Sequence, residues 1–230
     1  MIARMGLLTR KPGSSSEEYS EHWRNVHGPL AARLPGLHGY HQNHIRASLR
    51  PQDGISSETL DLDGISELWF DDLAAMQSAI SSEVFRAVIA DEPNFMQPSM
   101  VIAVEQIALV IPRSSQNIRE AVKCMSVLAR VSGVADSEFR RGCEGQYAEA
   151  ISRLPALTAC TQNLVTGRSQ GGLAIEYDAL PIDAVTEFWF ESKESLHEAF
   201  SSEVAAQAKR LAQTFAIQKA LYLVEVHTVL

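Results

Sequence analysis

The sequence contains no apolar run that approaches the roughly 20 residues of a membrane-spanning helix. Its first ten residues, Met1 to Arg10, are interrupted by charge at Arg4, too early for a signal peptide. Positive charge is also scarce: 20 Lys and Arg stand against 28 Asp and Glu, a net charge of -8. An acidic protein is a poor match for nucleic acid or for an anionic membrane. We therefore expect a soluble cytoplasmic protein that binds neither.

Cysteine is nearly absent as well. The 230 residues include three cysteines, Cys124, Cys143 and Cys160, and no Cys-x-x-Cys spacing. An odd number without that spacing argues against a disulfide framework and against a zinc knuckle. Free cysteines are usually small core residues. We expect these three to be reduced and buried.

An internal repeat covers the chain. Shifting the sequence against itself by 120 positions brings identical residues together along its whole length without a gap. The matches include Met5 with Met125, Arg33-Leu34-Pro35 with Arg153-Leu154-Pro155, Gln42-Asn43 with Gln162-Asn163, Glu67 with Glu187, Trp69 with Trp189, and Ser81-Ser82-Glu83-Val84 with Ser201-Ser202-Glu203-Val204. This period is too long for a solenoid and indicates a duplicated domain. The predicted domains are 1–112 and 118–230, joined by the polar linker 113–117.

Each half is predicted to be an α+β unit. In the first half the predicted strands are 2–9, 38–46, 65–71 and 100–110, and the predicted helices run from Ser16 to Pro35-Gly36 and over 72–90. The second half repeats this pattern from about 122 to 229. Strand, helix, strand, strand, helix, strand is the ferredoxin-like order. Each sheet would have one uncovered apolar face, and two fused copies can cover each other sheet against sheet.

Histidine is concentrated in one short segment. Five of the seven histidines are His22, His27, His38, His41 and His44. Imidazole gains and loses protons near neutral pH, so such a cluster is a candidate for acid–base chemistry. His27 precedes Gly28-Pro29, and a residue before proline resists the helical conformation. We expect the helix to break or kink there and to place His27 at a cleft.

The strand after this helix gives two alternatives. Because neighbouring strand residues point to opposite faces, Tyr40 and His44 share one side and His41 lies on the other. Either His44 or His41 would then face a pocket with His27. The alternation of the strand does not decide between them.

These motifs resemble the EthD family, which belongs to the dimeric α+β barrel superfamily. The resemblance lies in Arg10-Lys11-Pro12-Gly13, Glu18-Tyr19, His22-Trp23-Arg24-Asn25-Val26-His27-Gly28-Pro29-Leu30, Tyr40, Gln42-Asn43-His44, and Asp91-Glu92 with Phe95. It is strong over 1–110 and survives over 121–230 only as a fold pattern. It implies two ferredoxin-like βαββαβ repeats that pair into an intramolecular dimeric α+β barrel.

The second half has lost almost every protic group of this motif. The replacements are His22-Trp23 by Gly142-Cys143, His27 by Tyr147, His44 by Leu164 and Asp91 by Leu211. Features that both halves keep, such as Trp69 with Trp189 and Glu67 with Glu187, are assigned to the fold. Features that only the first half keeps are assigned to function, which makes the second half a scaffold.

The predicted catalytic residues are His27 as general base or acid, His44, and Asp91 as the carboxylate that orients His27. The predicted substrate-binding residues are Tyr19, His22, Trp23, Tyr40 and His41. A metal site is not expected. On a regular helix His22 and His27 point about 140° apart, and His41 and His44 face opposite ways.

The resemblance leaves three functions open. Relatives include proteins linked to ether degradation, lactone isomerases, and polyketide-type dehydratases or decarboxylases without cofactors. The first expectation is therefore cofactor-independent acid–base chemistry on an aromatic, lactone or polyketide-like compound. The second is an oxidoreductase or monooxygenase, since other barrel families use haem or act on quinol-like substrates. The third is a non-catalytic protein that binds a small ligand. We expect a monomer with an internal pseudo-dimer, or a homodimer, and an edge strand could build a larger assembly.

Overall fold

The computed structural model describes residues 1–49, 60–112 and 121–230. The elements of the first half are strand β1 (Ile2–Leu8), helix α1 (Ser16–His22), a π-helical turn (Trp23–His27), helix α2 (Gly28–Ala31), strands β2 (Leu37–Ser48) and β3 (Gly64–Phe70), helices α3 (Leu73–Ile80) and α4 (Glu83–Asp91), a 3-10 turn (Glu92–Asn94) and strand β4 (Met100–Val110). All four strands predicted for this half are present.

The second half has a similar order of elements. They are strand β5 (Val122–Arg130), helices α5 (Asp136–Glu144) and α6 (Gln146–Ser152), strands β6 (Leu157–Gln170) and β7 (Leu173–Ala174), a 3-10 turn (Tyr177–Ala179), strand β8 (Ala184–Phe190), helices α7 (Lys193–Phe200) and α8 (Glu203–Ala212), and strand β9 (Ala216–Thr228). The predicted linker 113–117 and the domain boundary beside it lie outside the described residues.

The eight long strands close an antiparallel barrel in the order β4-β1-β3-β2-β9-β5-β8-β6, and β4 also pairs with β6. The halves meet at two seams, β2 with β9 and β4 with β6. Their registers correspond: His44 pairs with Glu225 at one seam, and Leu164 pairs with Glu105 at the other. The predicted barrel is therefore confirmed, and both seams lie within one chain.

Alternation along the strands separates two kinds of core. Side chains that point inward fill the barrel, among them Met5, Ile65 and Met125. Side chains that point outward pack beneath the helices, as Tyr40 and Phe70 do in the first half. Burying both faces of each strand removes a large apolar area from water, at about 25 cal/mol per Å². The candidate site lies on the outer face, between the first-half strands and their helices.

Two helical predictions are wrong in detail. The predicted helix 72–90 is divided into α3 and α4, because Ser82 leaves the helical conformation and caps α4 by accepting from the Phe85 N–H. The first helix does not break at Gly28. It widens into the π-helical turn, in which Val26 is 44% exposed.

The three cysteines are buried and unpaired, as expected. Burial raises the pKa of Cys143 to about 12 and raises the pKa of Cys124 and Cys160 as well, so all three remain thiols. Among the described helices, none has the length and apolar character needed to span a membrane. The cytoplasmic location stays a prediction.

Candidate active site

Helix α1 and the turn after it carry most of the candidate site. Ser15 and Glu18 form a reciprocal capping box, which fixes where α1 begins. At the other end, the Gly28 N–H donates to the carbonyl of Trp23, five residues back, which is the hydrogen bond of a π-helix. Pro29 explains the widening, because a proline ring would clash with the carbonyl four residues back in a regular helix.

Strand β2 holds this turn in place. The side-chain amide of Gln42 donates to the Trp23 carbonyl at 2.7 Å, so that carbonyl accepts from both the turn and the strand. Gly28 makes the approach possible, because a Cβ there would lie 2.6 Å from the Gln42 Nε2. π-helical turns are rare and occur frequently at functional sites.

The π turn brings His22 and His27 to one carboxylate. His27 Nδ1 lies 3.0 Å from Asp91 Oδ2, and His22 Nε2 lies 2.9 Å from Asp91 Oδ1. Asn94 donates to the same carboxylate at 3.1 Å. The extra residue in the turn changes the helical phase, so two histidines that point about 140° apart on a regular helix converge here.

The ionisation of this group is set by burial and hydrogen bonding. Burial favours the neutral form of Asp91, but hydrogen bonds from Asn94, His22 and His27 outweigh it and lower the pKa of the carboxyl group. Burial also lowers the pKa of His27, against the opposing effect of Asp91. His27 is therefore neutral at pH 7. Because an ionised carboxylate only accepts, Nδ1 carries the proton and Nε2 keeps a free lone pair.

His27 lines a cavity of about 30 Å³, with room for about two water molecules. It lies between the sheet and the helices, and its polar lining includes Arg4, Tyr40 and Glu92. Nε2 of His27 has no hydrogen-bond partner among the described residues. A base with a free lone pair beside such a cavity can accept a proton from a small molecule.

His22 lies on the opposite, more open side of Asp91. Its side chain is 25% exposed and borders a surface cleft of about 290 Å³. Its ring stacks on Phe95, with centroids 4.9 Å apart. The predicted binding role of His22 thus corresponds to this outer cleft, while His27 faces the inner cavity.

The predicted aromatic residues form the wall around His27. Trp23 Nε1 donates to the Tyr40 hydroxyl at 2.9 Å, and Tyr19 packs against Trp23 and Phe95 at 5.5 and 5.7 Å between ring centroids. Burial raises the pKa of Tyr40 to about 12, so its hydroxyl keeps its proton. The oxygen accepts from Trp23 and Gln42, which leaves that proton free to be donated.

His44 does not line the His27 cavity, although it shares a strand face with Tyr40. Its Nε2 lies 3.2 Å from Gln42 Oε1 and its Nδ1 lies 3.2 Å from Ser20 Oγ. Burial lowers the pKa of His44 to about 3, so both nitrogens are used in neutral hydrogen bonds. This geometry does not support the predicted catalytic role. His44 instead bridges Gln42 and Ser20.

His41 points into the barrel, on the other side of the sheet from His27. Its ring meets the edge of Trp69 at 4.8 Å, and burial lowers its pKa to about 4. A position across the sheet does not support the predicted role in binding a ligand beside His27. His41 and His44, the two predicted alternatives, therefore point to opposite faces of strand β2. Neither of them lines the cavity with His27.

The barrel interior holds a buried ionic cluster that the sequence predicted only in part. Lys123 Nζ lies 2.7 Å from a carboxylate oxygen of Glu67 and 2.7 Å from one of Glu187. Burial opposes the charge on Lys123, but Glu187 and Glu67 outweigh it and raise the pKa of the lysine. Burial raises the pKa of Glu187, and repulsion from Glu67 raises it further. Glu67 and Glu187, which the sequence comparison assigned to the fold, thus both pair with Lys123 inside the barrel.

Sequence reasoning missed Arg4 and Glu92 as cavity residues. A signal for both was available. Arg4 interrupts an apolar strand, and the positions 120 residues later are Cys124 and Ala212. The comparison of halves that selected His27 selects these two as well. Across residues 1–49, 60–112 and 121–230, no group of three or more His, Cys, Asp or Glu side chains could hold a metal ion.

The barrel and this cavity define an antiparallel α+β barrel protein with a polar site under the helices of its first half. Residues 11–99 match the family model of the EthD domain. The first half of the chain therefore contains an EthD domain, which confirms the resemblance seen in the sequence. No curated protein matches the chain in sequence.

Solved structures of two other proteins share the fold, and a third protein matches 46% of the chain. An anthrone oxidase-like protein is 9% identical, covers 99% of this chain and 93% of its own, and has a TM-score of 0.65. A protein described as a monooxygenase from Fusobacterium nucleatum is 11% identical, with 99% and 93% covered and a TM-score of 0.61. An EthD family protein from Bacillus halodurans is 21% identical, with 46% and 100% covered and a TM-score of 0.35.

Proposed function

We propose that the chain is a small-molecule enzyme in which His27 acts as general base, without a bound cofactor. The observation that carries this proposal is the state of His27. Its Nδ1 proton is held by Asp91, its pKa is lowered by burial, its Nε2 is free, and its side chain lines the cavity. A base oriented by a carboxylate is the arrangement that proton abstraction needs.

The substrate we propose is an apolar or aromatic compound with an acidic C–H next to a carbonyl group. His27 takes the proton, and the electron pair of the C–H bond moves to the carbonyl oxygen as an enolate. Return of the proton to another carbon completes an isomerisation, and loss of hydroxide completes a dehydration. Trp23 and Tyr40 line the cavity and Tyr19 packs against Trp23, which supports binding of an aromatic, lactone or polyketide-like compound. Such a compound requires the cavity, which now has room for about two water molecules, to widen on binding.

An oxidoreductase is the second candidate. The structural similarity to proteins described as anthrone oxidase-like and as a monooxygenase favours it. The same deprotonated substrate could react with dissolved oxygen. A CH₂ group and O₂ would give C=O and water, with the substrate oxidised and oxygen reduced. The first step and the role of His27 are then unchanged.

We also propose that the barrel arose by tandem duplication and that the second half is a scaffold. The corresponding registers of the two seams support this history. So does Gln162, the counterpart of Gln42, whose buried amide atoms have no hydrogen-bond partner among the described residues. The second-half helix that Gln162 would hold has changed, so the Gln162 amide is left without a partner.

The test uses a panel of aromatic ketones, lactones and anthrone-type compounds. Deuterium uptake from D₂O, followed by NMR, reports proton abstraction before the product is known, and an oxygen electrode detects oxidation. His27→Gln is expected to lower turnover by about 10²- to 10⁴-fold. His38→Gln is the matched control, because His38 is an exposed histidine paired with Asp71.

Retention of full turnover by His27→Gln would contradict the role of His27. Absorbance spectra and elemental analysis of the purified protein test the absence of a cofactor. Turnover that requires added haem or a stoichiometric metal would contradict that part of the proposal. Tight binding without deuterium uptake or oxygen consumption would favour a ligand-binding protein instead.

A further inference from the structure

Arg4 carries an unpaired charge at the cavity. It lies on strand β1, and its side chain borders the same space as His27. Within the described part of the chain its guanidinium makes no hydrogen bond and no ion pair within 4.0 Å. Its defined contact is with the Phe85 ring, whose centroid lies 5.6 Å from the guanidinium carbon. Guanidinium has five N–H donors and stays protonated in proteins.

Burial lowers the pKa of Arg4, and the charge of Glu92 opposes this effect. Burial raises the pKa of Glu92 to about 7, and the charges of Arg4 and Asp91 act on it in opposite directions. Glu92 is therefore only partly ionised at neutral pH. His27 is neutral, and Asp91 keeps its negative charge while it is hydrogen-bonded to the two histidines. Arg4 and Glu92 attract each other without a direct ion pair, so the N–H donors of Arg4 remain available to a ligand.

Arg4 and Tyr40 both present donors to this cavity. The Tyr40 oxygen accepts from Trp23 and Gln42, so its own proton is left for an acceptor. We propose that Arg4 is the oxyanion-binding residue of the His27 cavity, and that the ligand presents a carboxylate, phenolate or enolate oxygen to it. This inference rests on the proposed function, because it names the chemistry of the substrate that His27 would deprotonate.

The same donors do not recur in the second half. The residues 120 positions after Arg4, Tyr40 and Glu92 are Cys124, Cys160 and Ala212. Burial keeps both of these cysteines as neutral thiols. If Arg4 served only to support the fold, a corresponding charged residue would be expected beneath the second set of helices. The chain instead places it only beside His27.

Acetate and acetamide are a matched pair of probes, because they have the same shape and differ in charge. Both are small enough for a cavity of this size. The indole N–H of Trp23, which borders the cavity, reports binding by NMR, and a Trp23→Phe variant assigns its signal. At constant ionic strength we expect acetate to bind the full chain at least about tenfold more tightly than acetamide, since a hydrogen bond to a charged group contributes that much.

Arg4→Met should abolish the preference for acetate while keeping the side chain's volume. Arg4→Lys keeps the charge without the planar fork and should retain part of the preference. Arg86→Met is the control, because it removes an equal charge from an exposed position on α4. Equal affinity for the two probes in the unmodified protein, or an unchanged preference in Arg4→Met, would overturn the inference.

The binding test of Arg4 and the turnover test of His27 give independent results. His27→Gln should retain the preference for acetate even though turnover is lost, because the anion is held by Arg4. Retention of turnover by His27→Gln together with loss of acetate binding in Arg4→Met would refute the base and support the anion site. The two proposals therefore fail independently.

Once a substrate is known, its kinetics show whether the oxyanion is already present in the substrate or forms during the reaction. A substrate that arrives as a carboxylate or phenolate loses binding in Arg4→Met, so KM rises about tenfold or more. A carbonyl that becomes an enolate during the reaction loses transition-state stabilisation, so kcat falls instead. Unchanged kcat and KM would contradict both forms of the inference.

Discussion

The side-chain amide of Gln42 donates a 2.7 Å hydrogen bond to the main-chain carbonyl of Trp23. This bond joins the centre of a strand to the first residue of the π-helical turn. The turn in turn directs His27 toward Asp91. The geometry of the proposed base therefore depends on a residue that contacts neither the base nor its carboxylate.

Gln42→Leu is expected to lower the free energy of unfolding by about 1–3 kcal/mol, because it removes a buried hydrogen bond to a carbonyl and leaves Nε2 of His44 without its partner. Chemical denaturation measures the change. Gln162→Leu is the matched control, since the amide of Gln162 has no partner in the described structure. Replacing an unpaired buried amide by an apolar group is expected to be neutral or stabilising. Equal destabilisation by both substitutions would show that Gln42 does not support the turn.

Gly64→Ala tests the packing of the aromatic wall. A Cβ at Gly64 would lie 2.4 Å from the ring of Trp23 and 2.7 Å from the Tyr19 hydroxyl, and both rings are buried. Overpacking of this kind costs about 1–3 kcal/mol. Gly167→Ala is the control, because its Cβ would have Ala103 as its nearest contact at 3.8 Å. Thermal unfolding should separate the two variants, and equal midpoints would contradict the prediction.

Lys123→Met tests the cluster inside the barrel. Removing the cation leaves Glu67 charged and buried, with a bond from Asn43 but no positive partner, so we expect a loss of about 3–5 kcal/mol. Glu67→Gln in the same chain should recover part of it. In Lys123→Met the pKa of Glu67 should rise, since burial is no longer opposed. The loss should then be larger at pH 8 than at pH 5, and a loss independent of pH would refute this account.

His44 should make stability depend on pH. Its folded pKa of about 3 lies below the unfolded value of 6.5. The contribution of its neutral form is therefore complete above pH 6.5 and is lost as pH falls toward 3. Between pH 7 and pH 5 the loss is on the order of 1–2 kcal/mol. Glu92 and Glu187 have raised pKa values and act with the opposite sign.

The test therefore compares the free energy of unfolding of two proteins at two pH values. Urea unfolding of the unmodified protein and of His44→Gln at pH 7 and pH 5 cancels the contributions of the two glutamates. The stability gap between the two proteins should narrow at pH 5. A gap of the same size at both values would show that His44 keeps its ordinary pKa.

The strands and the relation between the halves could be predicted because two patterns in the sequence indicate them, and the closed barrel followed from the resemblance to the EthD family. Alternation of apolar residues gives the strands, and matches such as Trp69 with Trp189 give the relation between the halves. The assignment of both glutamates to the fold followed from the same comparison. Their partner did not, because Lys123 corresponds to Ala3 and a lone lysine in a strand usually faces solvent.

The candidate site could be predicted only in part. His27 and Asp91 were selected by type and by their loss in the second half, and the structure brings them together. The convergence of His22 on the same carboxylate could not be predicted from a helical period of 3.6 residues. A π turn adds one residue to a single turn, and the bond from Gln42 that holds it comes from a strand remote in sequence. Long-range contacts of this kind leave no local pattern.

The closed barrel also limits how copies of this protein can associate. Each long strand has a neighbour on both sides, and the remaining strand in the described sheet, β7, is two residues long. Without a long free edge, a second copy cannot extend the sheet by adding a strand. Contacts between copies would have to use helices and loops. The backbone hydrogen bonds of the two seams hold one chain closed on itself.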